Sequence, residues 1–119
     1  MSRFATELRV EHQSDGKWCL LSDLVYVSDW DGAFIVPEGY LTDFASVPRL
    51  PVVYWLAGDT AHEAAVLHDW LYTSGRVPRG KADALFREAS AASGVPWWRR
   101  WLMWAGVRVG GWSGYQGAA

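Results

Sequence analysis

Side chains able to do acid–base chemistry fall at helical spacing in one stretch of the chain, HEAAVLHDWLY at residues 62–72, followed by KADALF at 81–86. His68 and Asp69 are adjacent there, Tyr72 lies one turn after His68, and Asp83 follows on a second helical segment. An imidazole can take a proton from water near neutral pH, and a carboxylate holding one ring nitrogen makes the other a better acceptor. Ala64, Ala65, Leu67 and Leu71 supply the apolar stripe that buries the first segment, so His68 or Asp69 goes inward with it. Burying either group is costly unless a partner or a metal compensates. The expected arrangement pairs His68 with Asp83 and uses Tyr72 as a second orienting group. Two readings stay open: a general base held in its working tautomer, or a fixed polar pair that pins two helices together.

Neighbouring helix positions point about 100° apart, so Asp69 faces elsewhere, towards Arg49, Arg76 or a cation, with an arginine favoured. Asp43 and Ser46, in TDFASVPR, suit an Asx-type turn or helix cap. The functional alternative folds that loop over His68 and makes Asp43 a second metal ligand or an acid. Ser46 lacks the glycine pattern of a nucleophile elbow. His62 precedes His68 by six positions, unlike the i, i+4 pair of a zincin, and is expected at the surface; a zinc site of His62, His68 and one carboxylate is disfavoured. His12 has no local context.

The elements that must position these groups divide the chain in two. Residues 1–45 read as β structure: Thr6–Val10 pairs with Trp18–Val27 through the SDG turn at 14–16, SDWDG (28–32) leads into Ala33–Val36, and Pro37-Glu38-Gly39 turns into Tyr40–Phe44. Residues 46–111 read as helical. A short helix is expected near Val52–Ala57, then one opened by a Thr60/Glu63 capping box and stopped at Gly75. A second spans Lys81–Ala92, ended by Gly94, and a third runs from Pro96 to about Val109. Residues 112–119 read as an irregular tail. The expectation is a single α+β domain: one small N-terminal antiparallel sheet followed by three packed helices.

Composition narrows the function. At 119 residues, half of them hydrophobic, the chain can bury one core and is unlike a disordered segment. A net charge of −2 with scattered Lys and Arg argues against nucleic acid. One cysteine excludes an intrachain disulfide framework and an all-cysteine metal site. The N-terminus lacks a signal-peptide core and no apolar run is long enough to span a membrane, so synthesis and folding in the cytoplasm are expected.

Nine tryptophans are more than one small core buries. In the third helix Trp97, Trp101, Trp104 and Arg108 share one face, and Trp98, Leu102, Ala105 and Val109 another. One face is expected to pack into the domain, leaving the other as an aromatic interface; a protein partner is favoured over a lipid surface because basic residues are few.

GYLTDFASVPR (39–49) and AAVLHDWLY (64–72), with ADALF (82–86) and the VRVGG ending (107–111), resemble an uncharacterised family common in tailed bacteriophages and prophages, over residues 34–111. That resemblance implies a phage origin and other phage proteins as partners; it carries no catalytic residue. HDxxY on one helix with an Asp on the next is also similar to the catalytic helix pair of A2-type phospholipases. This second resemblance implies His68 as the base, Asp69 as a calcium ligand, and Tyr72 and Asp83 as orienting groups. Against it, only Gly58 precedes the helix where those enzymes have a glycine-rich calcium loop, and their disulfides are missing. The function expected is a metal-assisted hydrolase, using calcium or zinc, on an ester or amide of lipid or peptidoglycan. The alternative is a non-enzymatic tail or assembly protein.

Overall fold

A computed structural model describes residues 2–13, 17–42 and 62–110. Six short strands come first: β1 (Arg3–Phe4), β2 (Val10–His12), β3 (Trp18–Leu20), β4 (Leu24–Ser28), β5 (Gly32–Val36) and β6 (Leu41–Thr42). Three helices follow, α1 (His62–Ser74), α2 (Arg79–Ala92) and α3 (Trp97–Gly110). The architecture is α+β, but the strands build two antiparallel sheets, ordered β1-β4-β5 and β2-β3-β6, rather than one.

The split falls inside the run expected as one strand, Trp18–Val27. β3 pairs with β2, Val10 opposite Leu20 and His12 opposite Trp18, whereas β4 pairs with β5, Leu24 opposite Val36 and Ser28 opposite Gly32. Between them, Asp23 accepts from the backbone of Glu38 through its side chain (2.7 Å) and from the Thr6 hydroxyl through its carbonyl (3.1 Å). A short carboxylate that binds nearby backbone offers an alternative to the ladder. Thr6 compounds this, because its hydroxyl accepts the Val25 N–H at 2.9 Å and stands in for a strand partner. Thr6–Val10 is therefore not one strand; only Val10 joins β2.

The other turns fall where expected. Ser28 accepts from the N–H groups of Trp30 and Asp31, and Gly32 adopts a positive φ of 81° to enter β5. The 14–16 turn, Thr60, and the expected helix at Val52–Ala57 lie outside the described residues.

β4 shows why the sheet packs as it does. Leu24 and Tyr26 alternate inward and are buried, and the Tyr26 hydroxyl donates to Glu88 on α2 at 2.6 Å. Burial and that acidic partner both raise the Tyr26 phenol, keeping it a donor. On α1, Ala64, Leu67 and Leu71 are buried as expected, with Ala65 half-buried at the margin. α2 contributes Leu85, Phe86 and Ala89, and α3 Met103 and Val107, to one continuous core. α2 begins two residues before the expected Lys81, at Arg79 directly after Pro78, whose fixed φ suits a helix start.

Candidate functional site

α1, α2 and α3 converge on Asp83, which is 0% exposed. His68 Nε2 lies 2.8 Å from Asp83 Oδ1, and the Tyr72 hydroxyl donates to the same oxygen at 2.5 Å. His68 and Tyr72 meet one carboxylate because residues four apart stack on one helix face. Arg108 on α3 donates to the other oxygen, Oδ2, at 2.9 Å. Burial by itself would raise the Asp83 carboxyl, but hydrogen bonds from His68, Tyr72 and Arg108 outweigh it and hold the group below the usual aspartate range. The carboxylate is thus ionised and can only accept, so Nε2 of His68 is the donor of their hydrogen bond. Burial and the bond to Asp83 push the Tyr72 phenol up, so it too stays protonated.

The ring of His68 lies between Tyr72 and Phe86, with centroids at 4.2 and 4.8 Å. Its side chain retains 9% exposure, against none for Asp83.

Two arginines complete the cluster, and neither was singled out from sequence as a partner of Asp83 or Tyr72. Arg108 was assigned to an aromatic face; it bends back into the helix junction instead. Arg79 donates to the Tyr72 oxygen at 3.2 Å and to the carbonyls of Val107 and Arg108, at 3.0 and 2.5 Å. A guanidinium on the last-turn carbonyls stabilises a helix C-terminus. The sequence offered no signal for either contact, since both depend on how α3 crosses α2.

Asp69 faces the sheet, and among the described residues its partners are hydroxyls. Its Oδ2 accepts from the hydroxyls of Tyr40 and Thr42, both at 3.0 Å, and Tyr40 also lies 3.3 Å from the Thr73 hydroxyl. Burial and the neighbouring Asp69 charge raise the Tyr40 phenol. Arg76 stacks over Trp70 instead, 5.3 Å from the ring centroid. β6 runs alongside α1 and sets Thr42 beside Asp69, and Tyr40 just before that strand adds the second hydroxyl. Asp43, Ser46 and Arg49 lie outside the described residues, as does the side chain of His62. His12 is exposed on β2, edge-on to Trp18.

Among the described residues no three His, Cys, Asp or Glu side chains group as a metal cage. Asp69 is a hard oxygen donor that suits calcium, and Nε2 of His68 is already engaged by Asp83. A cation at Asp69 would therefore draw its remaining ligands from elsewhere in the chain.

On α3 neither expected face packs inward. The buried positions are Met103 and Val107, with Trp104 half-buried, while Trp97, Trp98, Trp101, Leu102, Ala105 and Val109 are exposed.

The fold and the junction thus define an α+β protein with a buried His–Asp–Tyr cluster. The chain belongs to a family of proteins of unknown function, DUF1353, whose pattern it matches over residues 18–107. Comparison with curated proteins and with solved structures gave no match.

Proposed function

We propose that this chain is a small hydrolase, encoded by a tailed bacteriophage or prophage, with His68 as its general base. The observation that carries the reading is the pairing of His68 Nε2 with an ionised Asp83 at 2.8 Å, while the His68 side chain keeps 9% exposure against none for Asp83. Nδ1 takes a proton from water as the water oxygen attacks the carbonyl carbon of an ester or amide. The tetrahedral adduct then breaks its C–O or C–N bond, and the imidazolium returns the proton to the departing alcohol or amine. The imidazolium so formed is stabilised by Asp83 and held in orientation by it and Tyr72. Arg108 shares the charge of Asp83, which tempers that stabilisation and keeps the resting cluster balanced. Asp69, with Asp43 next in sequence to Thr42, supplies the carboxylates for a divalent ion, calcium in preference to zinc, whose chemistry would be to polarise the carbonyl. Lipid or peptidoglycan is the proposed substrate class, and other phage proteins the partners.

Purified protein assayed on fluorogenic phospholipid esters and on peptidoglycan, with and without a chelator, tests this. His68→Asn is expected to lower turnover by about 10²–10⁴-fold, with the fold intact by circular dichroism, and Asp69→Asn to abolish any calcium dependence. Full turnover in His68→Asn would sink the assignment.

A second reading has its own observation. Asp83 takes donors from α1 and α3 at once, which is more than orienting a base requires and suits a pin for three helices in a phage assembly component. It predicts no turnover in wild-type protein and a large stability loss on removing Asp83.

A further inference from the structure

α3 is apolar on two sides. Met103 and Val107 bury one stripe against the domain. At about 100° per residue, Trp97, Trp101, Ala105, Trp98, Val109 and Leu102 fill a continuous arc of about 140° pointing away from that stripe. All six are exposed, with Trp97, Trp98 and Trp101 at 66, 48 and 46%. The charged residue that falls within the arc, Arg108, turns inward to Asp83. An exposed apolar patch of this kind marks an interaction surface.

Its rim decides the partner. The Arg87 guanidinium stacks 4.0 Å from the Trp101 centroid and 5.2 Å from Trp104, and that of Arg99 lies 5.9 Å from Trp98. α3 carries Arg99, Arg100 and Arg108 and no Asp or Glu. The surface is therefore indole flanked by guanidinium, with a single sign of charge. A groove of about 470 Å³ lies away from it, between Phe34, Ile35, Trp70 and Val77. No described helix is long and apolar enough to cross a membrane.

We infer that the exposed face of α3 docks in the plane of an anionic lipid bilayer, with Trp97, Trp98 and Trp101 at headgroup level and Arg87 and Arg99 on lipid phosphates. Indoles favour the boundary between headgroups and acyl chains, and guanidinium pairs geometrically with phosphate. A fluid headgroup layer accepts protruding rings without a matching cavity, and basic rims meet an anionic surface without repulsion. The inference is independent of whether His68 is catalytic.

Co-sedimentation of the full chain with phosphatidylcholine vesicles, and with phosphatidylcholine–phosphatidylglycerol vesicles, tests it, with tryptophan emission as a second readout. Binding to the anionic vesicles, a blue shift of emission, and loss of binding as salt rises are expected. Trp97→Ala/Trp98→Ala/Trp101→Ala should weaken partitioning by about tenfold or more, and Arg87→Gln/Arg99→Gln should flatten the salt dependence. His68→Asn should bind as wild type, which separates this result from any loss of hydrolysis. If the triple variant misfolds, Trp97→Ala alone, the most exposed tryptophan of the face, must still weaken binding. No association with anionic vesicles, binding that ignores the tryptophan substitutions, or a self-associated form in sedimentation equilibrium that those substitutions dissolve would each overturn it.

Discussion

Asp83 and Asp69 are both acidic residues in the helical region, yet the protein treats them in opposite ways. Asp83 is fully buried and accepts from His68, Tyr72 and Arg108, so both oxygens carry charge-assisted or short bonds. Asp69 is half-buried and holds two neutral hydroxyls on one oxygen, from Tyr40 and Thr42. The first joins helix to helix, the second helix to sheet. A buried charge needs compensating charge, whereas a half-buried one is still helped by solvent. The contrast teaches which carboxylate the fold depends on: removing Asp83 strands an imidazole, a phenol and a guanidinium, whereas removing Asp69 leaves two neutral hydroxyls, of which Tyr40 still has Thr73.

The widest separation between the two sites comes from truncation. Asp83→Ala is expected to cost about 3–5 kcal/mol, the usual penalty for breaking a buried pair, read from urea unfolding at neutral pH. Asp69→Ala should cost about 1 kcal/mol, as for an ordinary hydrogen-bonded surface group. Equal losses at the two positions would erase the distinction.

Acid sharpens it further. The folded Asp83 carboxyl is held below its unfolded value, so its contribution to stability is complete above the unfolded value of about 4 and is lost as pH falls through the folded one. Wild-type stability should therefore decline below about pH 4 with a component missing from Asp83→Asn, measurable as a difference in unfolding midpoints. Identical acid profiles would mean that Asp83 is not the group responsible.

Smaller effects dissect each cluster. Tyr72→Phe removes one donor to Asp83 and the acceptor of Arg79, and should cost about 1–3 kcal/mol because buried partners are left unmet. Thr42→Val, at the Asp69 seam, should cost about 0.5–1.5 kcal/mol. A larger loss at Thr42 than at Tyr72 would reverse the ranking of the two sites.

Much of this was legible in the sequence, for reasons that differ by region. The three helices announced themselves through apolar spacing and through Gly75 and Gly94, both at positive φ at helix ends. The meeting of His68, Tyr72 and Asp83 followed from i, i+4 geometry and from the cost of burying ionisable groups. The division into two sheets did not, because it turns on Thr6 and Asp23 bonding to backbone groups 15 to 19 residues away rather than to strand neighbours. Arg76 was a plausible partner for Asp69 by charge, but β6 brings Thr42 and Tyr40 closer, and strand proximity cannot be read from spacing on a helix. Arg79 and Arg108 were hidden for the same reason: their targets are defined by the crossing of α3 over α2.

Arg108 occupies the same helix as the outward-facing tryptophans while its guanidinium ends on the carboxylate that steers the imidazole. Shortening that one side chain would leave half of the carboxylate unmet and remove a tie that seats the aromatic helix, in a single step. Two ends of a small protein, one aromatic and one ionic, are in this way moored to each other through a single side chain.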